Sequence, residues 1–345
     1  MFKPEKFRNY PIEDRETKIE KTKEILRKVF GVIKTYFNLS EDQENILDNV
    51  LENLDRKIKG ITSAPVLSMA DILGISNIKE YIEETAGRCY INPYTLQPDF
   101  NVRIEENDSP ISLAEKITHE ILHLLGIFFI EVVELEEEKE AYQTIIDSYN
   151  NSTRSSYEPL LLIKWKTGPL EENGIIFKDP TSEMKILVIE PPTDYKLNIF
   201  YESAVDYFSK KIIRETLKNQ NVEFTAGYDT RYALQICLDS IAFLKSKKNQ
   251  KSFEENVEDI EKKLKSLIIK GDIESLKKEI NEIKPNELLN RLKEILPRFD
   301  RWIYKDVLER AIEDVGKIEN LETFDLILEI LDKFCLLYTS PSPRD

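Results

Sequence analysis

The sequence predicts an α+β protein, predominantly helical, with a small antiparallel β element set between helical extensions. Apolar residues recur at the 3.6-residue period through both ends of the chain, whereas residues 157–192 change to short apolar runs between Gly and Pro turns. Size agrees: 345 residues, 41% of them hydrophobic, fill a core without staples. The expected organisation is an N-terminal helical region (1–61), a central region (62–248) holding the β insertion at 157–192, a C-terminal helical region (249–335) and a tail (336–345).

From Arg15 to Phe37, Ile19, Ile25, Leu26, Val29, Phe30, Ile33, Tyr36 and Phe37 form one apolar face among Lys, Arg and Glu, which predicts an amphipathic helix. Ser40 and Gln43 have the spacing of a capping box, so a second helix starts there and runs through Ile46, Leu47, Val50, Leu51 and Leu54 to about Lys59, pairing with the first as a hairpin. Asn77–Ala86 reads as a short helix. Cys89–Asn92 and Asn101–Ile104 read as short strands around a Pro-rich turn. A second capping box, Ser112 with Glu115, opens a helix through Leu113, Ile117, Ile121, Leu124 and Leu125 that stops at Gly126. Helical period resumes from Phe128 to Tyr149. Strands are then expected at Leu160–Trp165, Gly174–Lys178 and Lys185–Glu190, and helices at about 198–218, 229–245 and in several segments from Ser252 to Phe334. Leu336 to Asp345 (LLYTSPSPRD) breaks this pattern and resembles a translated sequencing-adaptor tail, so the natural C-terminus is expected to be missing.

A net charge of −15 repels phosphate backbones and argues against nucleic acid as a partner, while an acidic cleft suits cationic or neutral peptides. Three widely spaced cysteines, Cys89, Cys237 and Cys335, form neither an even set nor a C-x-x-C pair. They read as reduced thiols and point to a cytoplasmic protein. The N-terminal 18 residues lack the apolar stretch of a signal peptide, and the most apolar segment, Ile121 to Val133, is too short to cross a bilayer. No membrane span is expected; the oligomeric state is left open.

His119-Glu120-Ile121-Leu122-His123 is H-E-x-x-H. On a helix, side chains four residues apart project from the same face about one turn apart, so both imidazoles reach one tetrahedral Zn²⁺. Glu120, about 100° round the helix, reaches an attacking water without taking a coordination site, as a general base must. These are the only histidines in the chain. Two histidines placed at random fall four apart in roughly 0.6% of cases, and a Glu after the first lowers this to on the order of one in a thousand, which favours a metal site over a core helix with merely hydrogen-bonded histidines.

With no third histidine, the remaining ligand is a carboxylate or a thiolate. Phe129 stands where a three-histidine H-E-x-x-H-x-x-G-x-x-H site needs its last ligand, which excludes that class. Glu131, Glu134, Glu136, Glu137 and Glu138 follow closely but read as a solvated acidic run. Cys89 is a rival, although Gly87-Arg88-Cys89-Tyr90 does not reproduce the cysteine motif of the peptide deformylases. The better candidate is Glu202 in Tyr201-Glu202-Ser203-Ala204-Val205-Asp206-Tyr207-Phe208, where Asp206, one turn on, would accept the outer N–H of a ligand imidazole.

H-E-x-x-H followed downstream by E-x-x-x-D resembles the gluzincin-type zinc peptidases over these two helices and the β insertion between them. The resemblance implies a zincin-like core, with His119, His123 and Glu202 on Zn²⁺, Asp206 behind them, Glu120 as base, and a peptide or protein as substrate. A regulatory protein that keeps the fold but acts by binding is the alternative. An oxyanion needs a further donor, for which Tyr228 and Arg231 are candidates, competing with a helix start capped by Asp229. An extended substrate would add to an exposed strand edge, for which Val102–Ile104 is the candidate beside an ordinary core role.

Overall fold

The computed structural model describes residues 15–59, 87–92, 94–104, 108–134, 139–153, 157–178, 184–189, 195–218, 230–299 and 304–339. The helix expected at Asn77–Ala86 lies outside them, as do Tyr228 and Asp229. The described chain is mostly helical with two small sheets, as its period predicts.

Helix α1 spans Arg15–Phe37 and buries Leu26, Val29, Phe30 and Ile33 along one stripe. Helix α2 (Glu41–Glu52) has the expected capping box: the Gln43 N–H donates to Ser40 Oγ at 3.4 Å and the Ser40 N–H to Gln43 Oε1 at 3.1 Å. It ends earlier than expected. One short turn, α3 (Leu54–Lys57), leads into strand β1 (Ile58–Lys59), which pairs parallel with β3 (Pro98–Arg103), itself antiparallel to β2 (Gly87–Ile91). β3 is thus the middle of the order β1-β3-β2, and Val102 has partners on both sides, Ile58 and Gly87. The expected substrate edge at Val102–Ile104 is therefore corrected to an interior strand.

Helix α4 (Pro110–Gly126) carries the H-E-x-x-H motif. Its cap is Ser109 rather than Ser112: Ser109 Oγ accepts the Ser112 N–H at 3.1 Å, and Pro110 occupies the first turn, where its missing N–H costs nothing. Thirteen of its 17 residues are buried, which makes α4 the central helix, packed by α1 on one side and by later helices on the other. Beyond Gly126 the expected helix is instead strand β4 (Ile127–Glu134); α5 (Lys139–Thr153) follows. The β-branched and aromatic run Ile-Phe-Phe-Ile-Glu-Val-Val finds a long partner in β5 (Glu158–Thr167), and that pairing outweighs a short helical period. β6 (Leu170–Lys178) and β7 (Met184–Ile189) complete an antiparallel sheet in the order β4-β5-β6-β7, one strand larger than the expected insertion.

Helices α6 (Tyr195–Thr216), α7 (Thr230–Ser246) and α8 (Phe253–Lys270) follow; then come α9 (Ile273–Ile280), α10 (Pro285–Ile295), α11 (Lys305–Val315) and α12 (Thr323–Thr339). α12 runs past the expected break at Leu336, since Leu-Leu-Tyr-Thr is compatible with helix and the first breaker is Pro341. One hydrophobic core joins Ile19 of α1, Leu122 of α4, Phe208 of α6, Leu267 of α8 and Phe334 of α12. The C-terminal helices are thereby part of the scaffold behind the motif. No helix among the described residues is long and apolar enough to cross a membrane.

Candidate metal centre

Helix α4 presents His119 and His123, and α6, packed against it, presents Glu202. The stripe Leu113, Ile117, Ile121, Leu124 anchors α4 in the core and turns the opposite, polar stripe toward α6. His119 Nε2 and His123 Nε2 lie 3.1 Å apart, and each is 3.2 Å from the same oxygen, Glu202 Oε2. Among the described residues these three form the group able to hold a metal ion.

The triangle of donor atoms passes a geometric test. A regular tetrahedron of 3.2 Å edge has its centre 0.61 times the edge from each corner, about 1.9–2.0 Å, against roughly 2.0–2.2 Å for zinc bonded to imidazole nitrogen or carboxylate oxygen. A single proton links two of the three atoms, never all three, whereas one dication satisfies the set. Glu202 and His119 are only half-buried, so solvent reaches the edge of the triangle. Burial works against ionising Glu202, but the charges and hydrogen bonds of His123 and His119 outweigh it and hold the carboxyl well below the usual carboxylate range. The carboxylate is thus in the form that ligates.

Glu120, one residue after His119, is 8% exposed. Tyr201 stands beside Glu202, fully buried, with its ring edge-on to His123 at a centroid distance of 5.2 Å. Burial first, then the Glu202 charge, pushes its phenol well above the ordinary range, so it stays neutral. Its ring is held between two glycines. A Cβ on Gly126 would lie 2.4 Å from the Ile268 carbonyl oxygen, and one on Gly168, in the β5–β6 turn at φ +56°, would lie 2.3 Å from Tyr201 Cε2. Gly126 therefore ends α4 because backbone must approach backbone there.

Other expected residues fall elsewhere. Asp206 lies one turn beyond Glu202, but its carboxylate receives Lys210 Nζ at 3.1 Å and has Arg231 Nε at 3.5 Å, rather than an imidazole. Arg231 is buried, with its guanidinium between Asp206 and the Tyr232 ring. The expected oxyanion donor is thus engaged by Asp206 and that ring. Tyr228 lies outside the described residues. Glu131 and Glu134 are exposed on β4, Cys89 sits on β2, and none of them belongs to the three-residue group; Glu136, Glu137 and Glu138 lie outside the described residues.

Sequence reading missed Glu115 and Lys210. Glu115 is one turn before His119, where a capping role hides it, and Lys210 is one turn after Asp206. The available signal was charge on stripes otherwise committed to burial. No protein-family model matches the chain, and neither a characterised protein nor a solved structure matches it.

Proposed function

We propose that this chain is a zinc-dependent peptidase of the gluzincin type, acting in the cytoplasm on peptide or protein substrates. The observation that carries the reading is the convergence of His119 Nε2, His123 Nε2 and Glu202 Oε2 within 3.2 Å of one another, with Glu120 beside them on the same helix. His119, His123 and Glu202 would hold the ion and leave its fourth position open. Zinc bound there would supply a Lewis acid for the scissile carbonyl and lower the pKa of water toward 7.

The residues of the chain do the rest. Glu120 accepts one proton from water as the water oxygen bonds to the carbonyl carbon. It delivers that proton to the amide nitrogen as the C–N bond breaks, so one water and one peptide bond become a carboxylate and an amine. The second water proton is released as the new acid ionises. The acidic balance of the chain, −15, favours cationic or neutral peptides over nucleic acid.

Hydrolysis of a quenched-fluorescent peptide library by the zinc-loaded protein tests this. Glu120→Gln is expected to lower kcat/KM by at least about 10²-fold, in the range for removal of a general base, while zinc stays bound at one per chain. Unchanged hydrolysis would refute Glu120 as base. A zinc-loaded parent that cleaves nothing in the library would move the chain to the partner-binding alternative.

A further inference from the structure

Beside the metal centre, α4 and α6 meet at a second point. Lys210 Nζ lies 3.2 Å from Glu115 Oε1 of α4 and 3.1 Å from Asp206 Oδ2 of its own helix, with Arg231 of α7 behind Asp206. All four are buried, Lys210 at 2% exposure and Glu115 at 5%. Glu115, His119 and His123 are spaced by four along α4; Glu202, Asp206 and Lys210 are spaced by four along α6. These are facing stripes on helices that run antiparallel, with the donor triangle at one end and the ion pair at the other.

The placement matters because the donor triangle tolerates little sliding. Each residue of helix advances about 1.5 Å, and a slip of that size between α4 and α6 would carry Glu202 Oε2 out of reach of one imidazole or the other. The apolar side chains buried along the two helices, such as Ile117, Ile121, Val205 and Phe208, have no directional preference that forbids such a slip. A buried ion pair does. Removing two charges from water roughly cancels their attraction, so its net stabilisation is small, but a misplaced partner leaves a buried charge uncompensated. The arrangement selects one register.

We propose that Lys210, gripping Glu115 across the helix interface, is a positioning residue that fixes the register of α6 on α4 and so sets the affinity of the His119–His123–Glu202 site for a divalent cation. The claim rests on the metal-centre reading above and adds to it a determinant that touches no ligand atom. Asp206 and Arg231 complete the pair: Asp206 holds the Lys210 ammonium on its own helix, and Arg231 balances the charge of the second carboxylate.

The test is metal affinity, measured at 25 °C by competition with a chromophoric chelator using Zn²⁺, together with the visible absorption of the Co²⁺-substituted protein. The full chain is used, as parent, Lys210→Met, Glu115→Gln and the double variant, each checked for a native near-UV circular dichroism spectrum. Lys210→Met is expected to weaken Zn²⁺ binding by about 10- to 100-fold, the range seen when partners behind metal ligands are removed, and to alter the Co²⁺ bands. Glu115→Gln should weaken it in the same direction. The double variant should bind no more weakly than Lys210→Met alone, since both act through one contact. Should Lys210→Met fail to fold, Glu115→Gln, which keeps the shape of the site, decides the matter. A parent that binds Zn²⁺ while the folded variants bind it equally well, with unchanged Co²⁺ spectra, overturns the positioning role and leaves the metal centre standing. A parent that binds no Zn²⁺ overturns both.

Discussion

His119 Nε2, His123 Nε2 and Glu202 Oε2 are three acceptor-capable atoms brought into contact, an arrangement that is electrostatically poor without a cation at its centre. In the proposed metal centre the anionic corner is as necessary as the imidazoles. Glu202→Ala is expected to weaken Zn²⁺ binding by on the order of a hundredfold or more while leaving the fold intact, as read by isothermal titration; unchanged affinity would mean that another group completes the site. At this scale the chain was largely legible. Two histidines four apart with Glu between them rarely arise by chance, and of the carboxylates weighed as their partner Glu202 is the one that the fold brings to both rings. Glu115 and Lys210 were not legible, because their meaning lies in a contact across 95 residues of chain, which no local spacing encodes. Asp206 was read for the wrong partner for the same reason: a carboxylate at i+4 suits an imidazole or a lysine equally until the facing helix is in place.

Among the elements, those with long uninterrupted period were the ones that sequence located best. α1 spans Arg15–Phe37 as its period predicts, whereas the sequence of β4 predicts helix because a short, mostly apolar run satisfies both periods and only its partner β5 decides. The end of α4 shows how packing overrides local rules. Gly126 looks like an ordinary C-terminal stop, but its function is to let the Ile268 carbonyl of α8 approach. Gly126→Ala is therefore expected to destabilise the protein by about 1–3 kcal/mol, the cost of overpacking, in urea unfolding; a neutral result would show that α8 yields there. The α4–α6 contact also carries a pH signature. Burial pushes the Glu115 carboxyl up to about 6, above its ordinary 4.5, against the opposing pull of Lys210. A raised folded-state pKa means that the native protein binds the proton more tightly than the unfolded chain. The stabilisation from Glu115 is then complete below pH 4.5 and is lost as pH rises through about 6. The stability of the parent relative to Glu115→Gln should fall by on the order of 2 kcal/mol between pH 4 and pH 7. A flat difference would contradict the assignment.

Across the whole molecule, one hydrophobic core runs from α1 to α12. The reason is geometric: α4 is buried on nearly every side, and no single flanking region covers it. Leu264, Leu267 and Ile268 of α8 are fully buried, so a chain ending at Lys251 loses the wall behind the motif helix. That truncated chain is expected to lack cooperative thermal unfolding in far-UV circular dichroism, whereas a sharp transition would show that the central region stands alone. Ligation acts at the same scale. Zinc that binds only the native state should raise folding stability by about 2.7 kcal/mol at a free concentration a hundred times Kd, and chelation should remove that gain, visible as a shift in Tm.

A crystal of the zinc-supplemented protein, with diffraction data collected on both sides of the zinc absorption edge, decides whether these three side chains hold the ion. An anomalous peak is expected about 2 Å from His119 Nε2, His123 Nε2 and a Glu202 carboxylate oxygen. A peak held by other residues, or imidazoles that stay in contact with each other and with Glu202 while no peak forms between them at saturating zinc, would contradict it.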